Sequence, residues 1–331
     1  MKKSKINTID LYEKIITGDK QALSKAITLV ESSLDEHIEL AQKLLNVIIP
    51  KTGNSIRIGI SGPPGAGKST FINKFGLYLC EKGIKVAVLT IDPSSSISKG
   101  SILGDKTRMA DLSVHNGSFI RPSPSGETMG GVARKTRESL LLCEAAGFDI
   151  IFIETVGVGQ NETLVRSMVD LFVLILSPGA GDELQGIKKG IVEISDMILV
   201  NKTDGPNEQA ARLTRKEYET GLHLSKSPSD GWTQQALNIS AETGLGLAEL
   251  WLKINEFVTT TKAKGTFSLR RKKQLQNWFD NELQLEILRR IGKRNEVLKK
   301  ITESRIKISD GKQSVYSAVY EISSLIFNDQ S

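Results

Sequence analysis

The sequence predicts an α/β protein with a doubly wound, mostly parallel sheet, flanked by N-terminal helices and a C-terminal helical arm. Three observations support this: short apolar runs rich in β-branched residues, helix-length segments between most of them, and helical periodicity at both ends of the chain. Strands that are apolar throughout are typical of a parallel sheet covered on both faces by helices. The 331 residues are enough for about two domains.

The composition is that of a folded protein without membrane spans. Hydrophobic residues make up 39% of the chain and charged residues 25%, which excludes wholesale disorder. No run of about 18 apolar residues occurs, and the first residues lack the apolar segment of an export signal. Cys80 and Cys143 are expected to be buried thiols rather than a disulfide. We therefore expect a cytoplasmic protein.

The net charge of +6 would permit an acidic partner or a phosphate ligand. The densest basic run, residues 270–273, has no interleaved aromatic side chains for stacking on bases. It is therefore expected to be a solvated helix face. We expect neither nucleic acid nor membrane among the partners.

Residues 1–51 are predicted to form an N-terminal helical segment. Asp19 has a side chain suited to capping a helix whose apolar residues recur at helical spacing, and Gly18 separates this helix from the one before it. A second amphipathic stretch starts near Ile38 and ends at Pro50, because proline cannot continue a helix.

Residues 52–262 carry the alternating pattern of the sheet domain. Right-handed crossovers through the intervening helices would place the strands parallel to one another. Six apolar runs are predicted as strands: Ile56–Ile60, Val86–Ile91, Ile150–Ile153, Leu171–Leu176, Met197–Val200 and the weaker Ala236–Ile239.

Residues 263–331 return to helical periodicity. One apolar stripe runs from Leu275 to Ile291 and another from Val315 to Ile326, with a turn at Asp310 and Gly311. The sequence thus predicts two helices outside the sheet. Because two helices cannot bury both stripes alone, we expect them to pack on the core or on a second copy of the chain.

The strongest motif follows the first predicted strand and opens a helix. It fits the pattern G-x-x-x-x-G-K-[ST], in which backbone N–H groups and a helix N-terminus surround phosphates. The lysine neutralises the β- and γ-phosphates and the serine hydroxyl is placed to bind Mg²⁺. The residues predicted to bind phosphate are Gly62, Pro63, Pro64, Gly65, Ala66, Gly67, Lys68, Ser69 and Thr70.

Two later motifs predict that the base is guanine. Asn201, Lys202 and Asp204 follow the strand Met197–Val200, at the sheet edge where doubly wound folds bind ligands. Asp204 can accept two hydrogen bonds from guanine, a donor pair that adenine lacks. Asn201 can reach the far edge of the base, and the Lys202 stem can lie over its face. Ser240, Ala241 and Glu242 end the next strand, where the Ala241 N–H could contact the guanine oxygen.

Three carboxylates are candidates for the Mg²⁺ site that GTP hydrolysis requires. Asp92 and Glu154 end predicted strands at the same edge as the phosphate loop, and Asp105 lies in a glycine- and serine-rich segment. Asp105 could instead cap a helix.

The segment after Glu154 occupies the place of a switch that senses the γ-phosphate. Gly157 is the candidate sensor through its N–H, and Val158 stands where Ras-like enzymes carry a water-orienting glutamine. Valine cannot orient water, so slow intrinsic hydrolysis is expected unless Asp92, Gln160 or a group from a partner does so. We count Lys68, Asp92, Glu154 and Gln160 as candidate catalytic residues.

A second loop, residues 177–189, carries paired charges beside glycines and a proline. It could sense a partner or be an ordinary solvated loop. The candidate partner-contacting residues are Asp182, Glu183, Lys188 and Lys189.

The chain resembles the MeaB/ArgK family, the methylmalonyl-CoA mutase-associated GTPases. The resemblance is dense from residue 18 to 260 and weaker over the C-terminal helices. The segments that carry it are GDKQALSKAITLVES (18–32), GPPGAGKST (62–70), IDPSSSISKGSILGDKTRM (91–109), RPSPSGETMGGVARKTRE (121–138), ETVGVGQNE (154–162), SPGAGDELQGIKKGI (177–191), NKTDG (201–205) and SAETGLG (240–246).

The resemblance implies a homodimeric GTPase, with residues 263–331 as a dimerisation arm. It implies a chaperone that gates cofactor loading of an adenosylcobalamin-dependent mutase and protects that enzyme, with loop 177–189 relaying the nucleotide state. The alternative is a metallocentre-insertion GTPase of the nickel-chaperone type. Three scattered histidines and no C-x-x-C motif disfavour direct metal delivery.

Overall fold

The computed structural model describes residues 7–91, 108–122, 129–155, 161–179, 189–223 and 227–327. The chain forms two compact units, Met1–Lys272 and Lys273–Ser331. The first unit is built on an all-parallel sheet with strand order β3-β2-β4-β1-β5-β6-β7. The strands are β1 (Ile56–Ser61), β2 (Val86–Ile91), β3 (Ser118–Pro122), β4 (Ile150–Thr155), β5 (Leu171–Leu176), β6 (Met197–Val200) and β7 (Gln235–Asn238).

Helices precede, connect and follow the strands, and a 3₁₀ turn over Ile49–Lys51 leads into β1. In the first unit the described helices are α1 (Thr8–Ile16), α2 (Lys20–Glu31), α3 (Asp35–Ile48), α4 (Lys68–Glu81), α5 (Ala110–Val114), α6 (Met129–Ala145), α7 (Asn161–Arg166), α8 (Lys189–Glu193), α9 (Glu208–His223) and α10 (Leu247–Ala263). The remaining helices are α11 (Thr266–Ile291), which crosses the boundary between the units, α12 (Asn295–Ser309) and α13 (Val315–Phe327).

The predicted α/β architecture is confirmed, and all six predicted strands are present within a residue or two of their expected bounds. The prediction missed β3, which pairs with β2 at the edge of the sheet. Its sequence, SFIRP, is short and contains an arginine and a proline. Proline is tolerated there because an edge strand leaves one row of backbone groups unpaired.

The N-terminal helices form as the sequence predicts. Asp19 caps α2 by accepting the N–H groups of Gln21 at 2.8 Å and Ala22 at 3.0 Å. The buried residues of α2 include Leu23 and Ile27, and the helix packs against α1, α3 and α6. These helices therefore belong to the same compact unit as the sheet.

The C-terminal region contains one helix more than the sequence predicts. Instead of two helices meeting at Asp310, α11 ends at Ile291, and a short turn through Gly292 leads into α12. The prediction missed α12, although Val297, Leu298, Ile301 and Ile308 recur at helical spacing and Val297 is fully buried.

The basic run at residues 270–273 is not a solvated face along its whole length, so that expectation is wrong for its first half. Arg271 makes two hydrogen bonds to Asp170, at 2.7 and 2.6 Å, and also donates to the Ser55 carbonyl. Arg270 hydrogen-bonds Ser229 and the Asp170 carbonyl. These three partners, Asp170, Ser55 and Ser229, are distant in the sequence, so the local pattern did not indicate them.

The core lies between the sheet and its helices. Phe71 and Phe75 of α4 stack with centroids 5.3 Å apart, and Phe75 contacts Phe152 of β4. Cys80 and Cys143 are both buried free thiols, as expected. In the described part of the chain, no helix is long and apolar enough to cross a membrane.

Candidate nucleotide-binding site

The loop between β1 and α4 has the backbone shape that the phosphate motif requires. Gly62 and Gly67 have φ angles of +151° and +90°. A Cβ at Gly62 would lie 2.1 Å from the Ile175 carbonyl oxygen, and one at Gly67 would lie 2.4 Å from Nδ2 of Asn201. Glycine is required at both positions, since any side chain would collide with these atoms.

Helix α4 begins directly at the end of this loop, at Lys68. Within the described residues no side chain caps it, so the N–H groups of its first turn remain available to a ligand. A helix N-terminus of this kind attracts anions through its N–H groups and its dipole. The loop and the helix start together form a site suited to an anion such as phosphate.

Lys68 is held inside the loop. Its ammonium donates to the carbonyls of Gly62 at 2.7 Å and Pro63 at 3.1 Å, and its side chain is buried. Burial lowers the pKa of Lys68; the Glu154 carboxylate opposes this shift and the charge of Arg108 adds to it. A bound phosphate would compensate the positive charge of this buried ammonium and favour its protonated form.

Ser69 and Glu154 come together although 85 positions separate them. The Ser69 hydroxyl donates to Oε1 of Glu154 at 2.8 Å. Glu154 is buried at the end of β4, directly beside Ile60 of β1 in the sheet register. A hydroxyl and a carboxylate are hard oxygen donors, so this pair fits a Mg²⁺ ion beside the phosphate loop.

Asn201 links the phosphate loop to the loop that follows β7. Its Nδ2 donates to the Ala66 carbonyl at 2.8 Å, and its Oδ1 accepts the Ala241 N–H at 2.9 Å. The sequence interpretation assigned Asn201 to the base and missed this cross-link, which joins three loops.

Lys202 and Asp204 flank the same junction. Lys202 has a φ of +59°, uncommon for a residue with a side chain, and its ammonium donates to the Gly65 carbonyl at 2.8 Å. This contact lays the aliphatic stem across the loop. Asp204 is half-buried, while Ser240 is buried and accepts the Thr243 N–H at the start of the next turn. Glu242 is exposed.

The strand order explains why these residues converge. β1 lies in the middle of the sheet, between β4 and β5, and all strands point the same way. Loops after parallel strands share one edge, and a ligand binds where the strand order reverses. Several predicted site residues fall outside the described residues: Asp92, Asp105, Gly157, Gln160, Asp182, Glu183 and Lys188. Lys189 is the first residue of α8.

Comparison with known proteins also indicates a nucleotide-binding protein, and the similarity extends over most of the chain. A family model described as "Methylmalonyl Co-A mutase-associated GTPase MeaB" matches residues 23–296. The chain is 46% identical to "GTPase ArgK" of Escherichia coli over 271 residues, covering 82% of each protein. It is 43% identical to "Methylmalonic aciduria type A homolog, mitochondrial" of Mus musculus over 311 residues, 91% of this chain and 75% of that protein.

A solved structure is similar over nearly the whole length. The protein in "Crystal structure of LAO/AO transport system kinase" has a TM-score of 0.78 and 35% sequence identity, covering 98% of this chain and 99% of that one. The sheet, the phosphate loop and the matched family thus agree. This chain belongs to the methylmalonyl-CoA mutase-associated GTPase family and is a GTPase with a P-loop fold.

Proposed function

We propose that this GTPase is a chaperone for an adenosylcobalamin-dependent acyl-CoA mutase, with methylmalonyl-CoA mutase as the client, and that it works in the cytoplasm. The observation that carries the proposal is the family match over residues 23–296. The similarity to the mouse methylmalonic aciduria type A homologue over 91% of the chain adds support. GTP binding and hydrolysis would gate cofactor loading and protect the mutase.

The chain's own residues supply the binding chemistry. Lys68 and the first turn of α4 hold the phosphates. Asp204 selects guanine, and the stem of Lys202 covers the base. Mg²⁺, held by Ser69 and Glu154, would neutralise charge on the β- and γ-phosphates. Asp92 and Asp105 are the further candidate ligands in our proposal.

The hydrolytic step needs an oriented water molecule. Val158 occupies the place of the water-orienting glutamine in Ras-like enzymes, and this favours a slow intrinsic rate. Gln160, Asp92 or a group from the client would orient the water. A slow GTPase that a client accelerates suits a regulatory role, with Gly157 and the loop carrying Asp182, Glu183, Lys188 and Lys189 reporting the nucleotide state.

We also propose that the protein is a homodimer and that the unit Lys273–Ser331 forms the contact. Many large apolar side chains of this unit are exposed, far more than single scattered residues would explain. They include Leu275, Phe279, Leu288, Ile306, Val315, Tyr316, Val319, Tyr320 and Phe327. Neither nucleic acid nor membrane is part of the proposal.

The test is the steady-state GTP hydrolysis rate with and without the adenosylcobalamin-dependent mutase of the source organism. We expect a several-fold rise that Lys68→Ala abolishes. A rate that the mutase leaves unchanged would contradict this client while leaving the GTPase assignment in place. Tight, stoichiometric nickel or zinc binding would favour the metallocentre-insertion alternative instead.

A further inference from the structure

The segment that begins at Arg108 is fixed to the helix that follows the phosphate loop. Nδ2 of Asn73 in α4 donates to the Asp111 carboxylate at 3.1 Å, and Oδ1 of Asn73 accepts the Leu112 N–H at 2.9 Å. Leu112 also lies against Gly76, where an added Cβ would come within 2.6 Å of its side chain. The N-terminal turn of α5 is therefore held by both hydrogen bonds and packing.

These contacts also give the direction of the segment. Leu112 lies against Gly76, whereas Asp111 bonds Asn73, one turn closer to the start of α4. Moving backward along the segment thus moves toward Lys68 and the phosphate-binding end of α4. Met109, the residue after Arg108, is fully buried in the same core as Phe71 of the first turn of α4. This burial anchors the position from which Arg108 extends.

Arg108 itself is exposed, and it makes no hydrogen bond or ion pair with another residue in the described part of the chain. Its guanidinium is close enough to the Lys68 ammonium for the two positive charges to repel each other. An exposed arginine that its neighbours hold near the buried Lys68 ammonium is placed to act on an anion bound at the same loop. Arg108 has no anionic partner among the described residues, and the phosphates of a bound nucleotide would supply one.

We propose that Arg108 is a catalytic residue supplied by the chain itself, whose guanidinium contacts the γ-phosphate of GTP and stabilises the charge that develops during hydrolysis. Water adds to the γ-phosphorus, and the bond between that phosphorus and the bridging oxygen breaks. The electron pair of the broken bond stays on the β-phosphate of GDP, and a water proton is released with inorganic phosphate. The inference rests on the GTPase activity and not on which mutase is the client.

Phosphoryl transfer depends mainly on charge stabilisation, so one correctly placed guanidinium has a large effect. Its planar fork can bond two phosphate oxygens at once, which the point charge of a lysine cannot. In other GTPase classes an arginine supplied by the same chain raises hydrolysis by roughly 10- to 100-fold over enzymes without it. Such a group would offset part of the hydrolysis rate that is lost because Val158 cannot orient water.

The experiment compares Arg108→Ala and Arg108→Lys with Arg212→Ala. Arg212 is an exposed arginine on α9, paired only with Glu208 one turn away, and serves as the matched control. Single-turnover GTP hydrolysis and the dissociation constants of GTP and GDP are measured for the full-length chain. We expect Arg108→Ala to slow hydrolysis roughly 10- to 100-fold. GDP affinity should stay within about twofold, Arg108→Lys should be intermediate, and the control should match wild type.

An unchanged single-turnover hydrolysis rate in Arg108→Ala would overturn the inference, whether or not the affinities for GTP and GDP fall. Guanidinium added to Arg108→Ala should restore part of the rate if the variant lacks only this group. Lys68→Ala is measured in parallel. If Lys68→Ala loses hydrolysis and Arg108→Ala keeps it, the nucleotide site stands and only the role of Arg108 fails.

Discussion

At the scale of single residues, the site is organised by polar side chains that hold its loops in place. Asn201 joins the loop that follows β1 to the loop that follows β7, and Lys202 holds the same phosphate loop through Gly65. These contacts join protein groups to one another and so hold the phosphate loop in its shape. Preorganisation of this kind reduces the ordering cost of binding.

In our proposal, the Asp204 carboxylate determines which base the site selects. Asp204→Asn replaces one acceptor oxygen with a donor, which mismatches guanine but matches the oxygen that xanthine carries instead of the amino group. We expect GTP affinity to fall at least about 10-fold and XTP affinity to rise, because a buried polar group left unpaired is costly. Competition between GTP, XTP and ATP measures this. Equal affinity of the wild-type protein for ATP and GTP would contradict the role of Asp204.

The Ser69–Glu154 contact predicts a Mg²⁺ dependence. Glu154→Gln keeps the shape and removes the negative charge, so the Mg²⁺ concentration that half-saturates GTP hydrolysis should rise at least about 10-fold, as for lost ligand or outer-ligand contacts. Measurement of the rate against Mg²⁺ concentration gives this value directly. GDP affinity in EDTA serves as the control and should change little. A Mg²⁺ curve identical to wild type would remove Glu154 from the metal site.

At the scale of elements, buried polar side chains connect helices to the strands of the sheet. Asp196, fully buried at the start of β6, accepts two hydrogen bonds from Arg166 of α7, at 2.6 and 3.2 Å, and one from the Phe172 N–H of β5 at 2.8 Å. Ser229 and Trp232 contact the same residue. A single carboxylate therefore connects α7, which follows the switch segment, to two strands.

Loss of the Asp196 carboxylate should strongly destabilise the folded state. Asp196→Ala leaves the Arg166 guanidinium largely buried without its anion, and we expect the free energy of unfolding to fall by about 3–5 kcal/mol. Urea denaturation measures the change. Asp310→Ala, which breaks only the exposed pair with Lys312, is the control and should cost less than about 1 kcal/mol. Equal effects of the two substitutions would show that the buried network contributes no more than a surface pair.

The cap of α2 has a predictable pH dependence. The N–H of Ala22, together with that of Gln21, holds the pKa of Asp19 below its usual value of 3.8. A lowered pKa in the folded state means that the contribution to stability is present above about pH 3.8 and is lost as the pH falls through the folded value. Asp19→Ala should lower the Tm by about 2–4 °C at pH 7.

That difference in Tm should shrink at pH 3, because this pH lies below the ordinary pKa of 3.8 and part of the charge-dependent contribution is lost there. Asp19→Asn keeps an acceptor oxygen and should stay close to the wild-type Tm at pH 7. Thermal melts of the three proteins at both pH values test this. A difference that widens on acidification would mean that the cap does not act through the charged carboxylate.

At the scale of the whole molecule, the chain divides into a nucleotide-binding unit and a helical unit of very different surface character. The first buries its apolar residues around the sheet. In the second, Tyr316 and Tyr320 are 89% and 73% exposed, and the fully buried apolar residues are few among those described. A surface so apolar is typical of a protein contact.

The proposed dimer is tested by light scattering at micromolar concentration. We expect a mass of twice 36.3 kDa for the wild-type chain. Replacement of Phe279 and Tyr320 by glutamate should shift the mass toward the monomer, because charges cannot be buried in an apolar contact without a large desolvation cost. Val114→Glu, at an exposed position on α5 in the first unit, is the control. A wild-type monomer would contradict the proposal.

Local sequence by itself determined the elements whose signals lie within a few residues: the phosphate loop, six strands, the Asp19 cap and the alternation that makes the sheet parallel. The tertiary structure decided what depends on distant partners. It placed Ser69 beside Glu154, made Asn201 a cross-link, and buried Arg271 against Asp170. It also added β3, whose pairing with β2 outweighs a weak local preference. Side chains far apart in sequence meet only after strand order and register are set, and no local pattern carries that information.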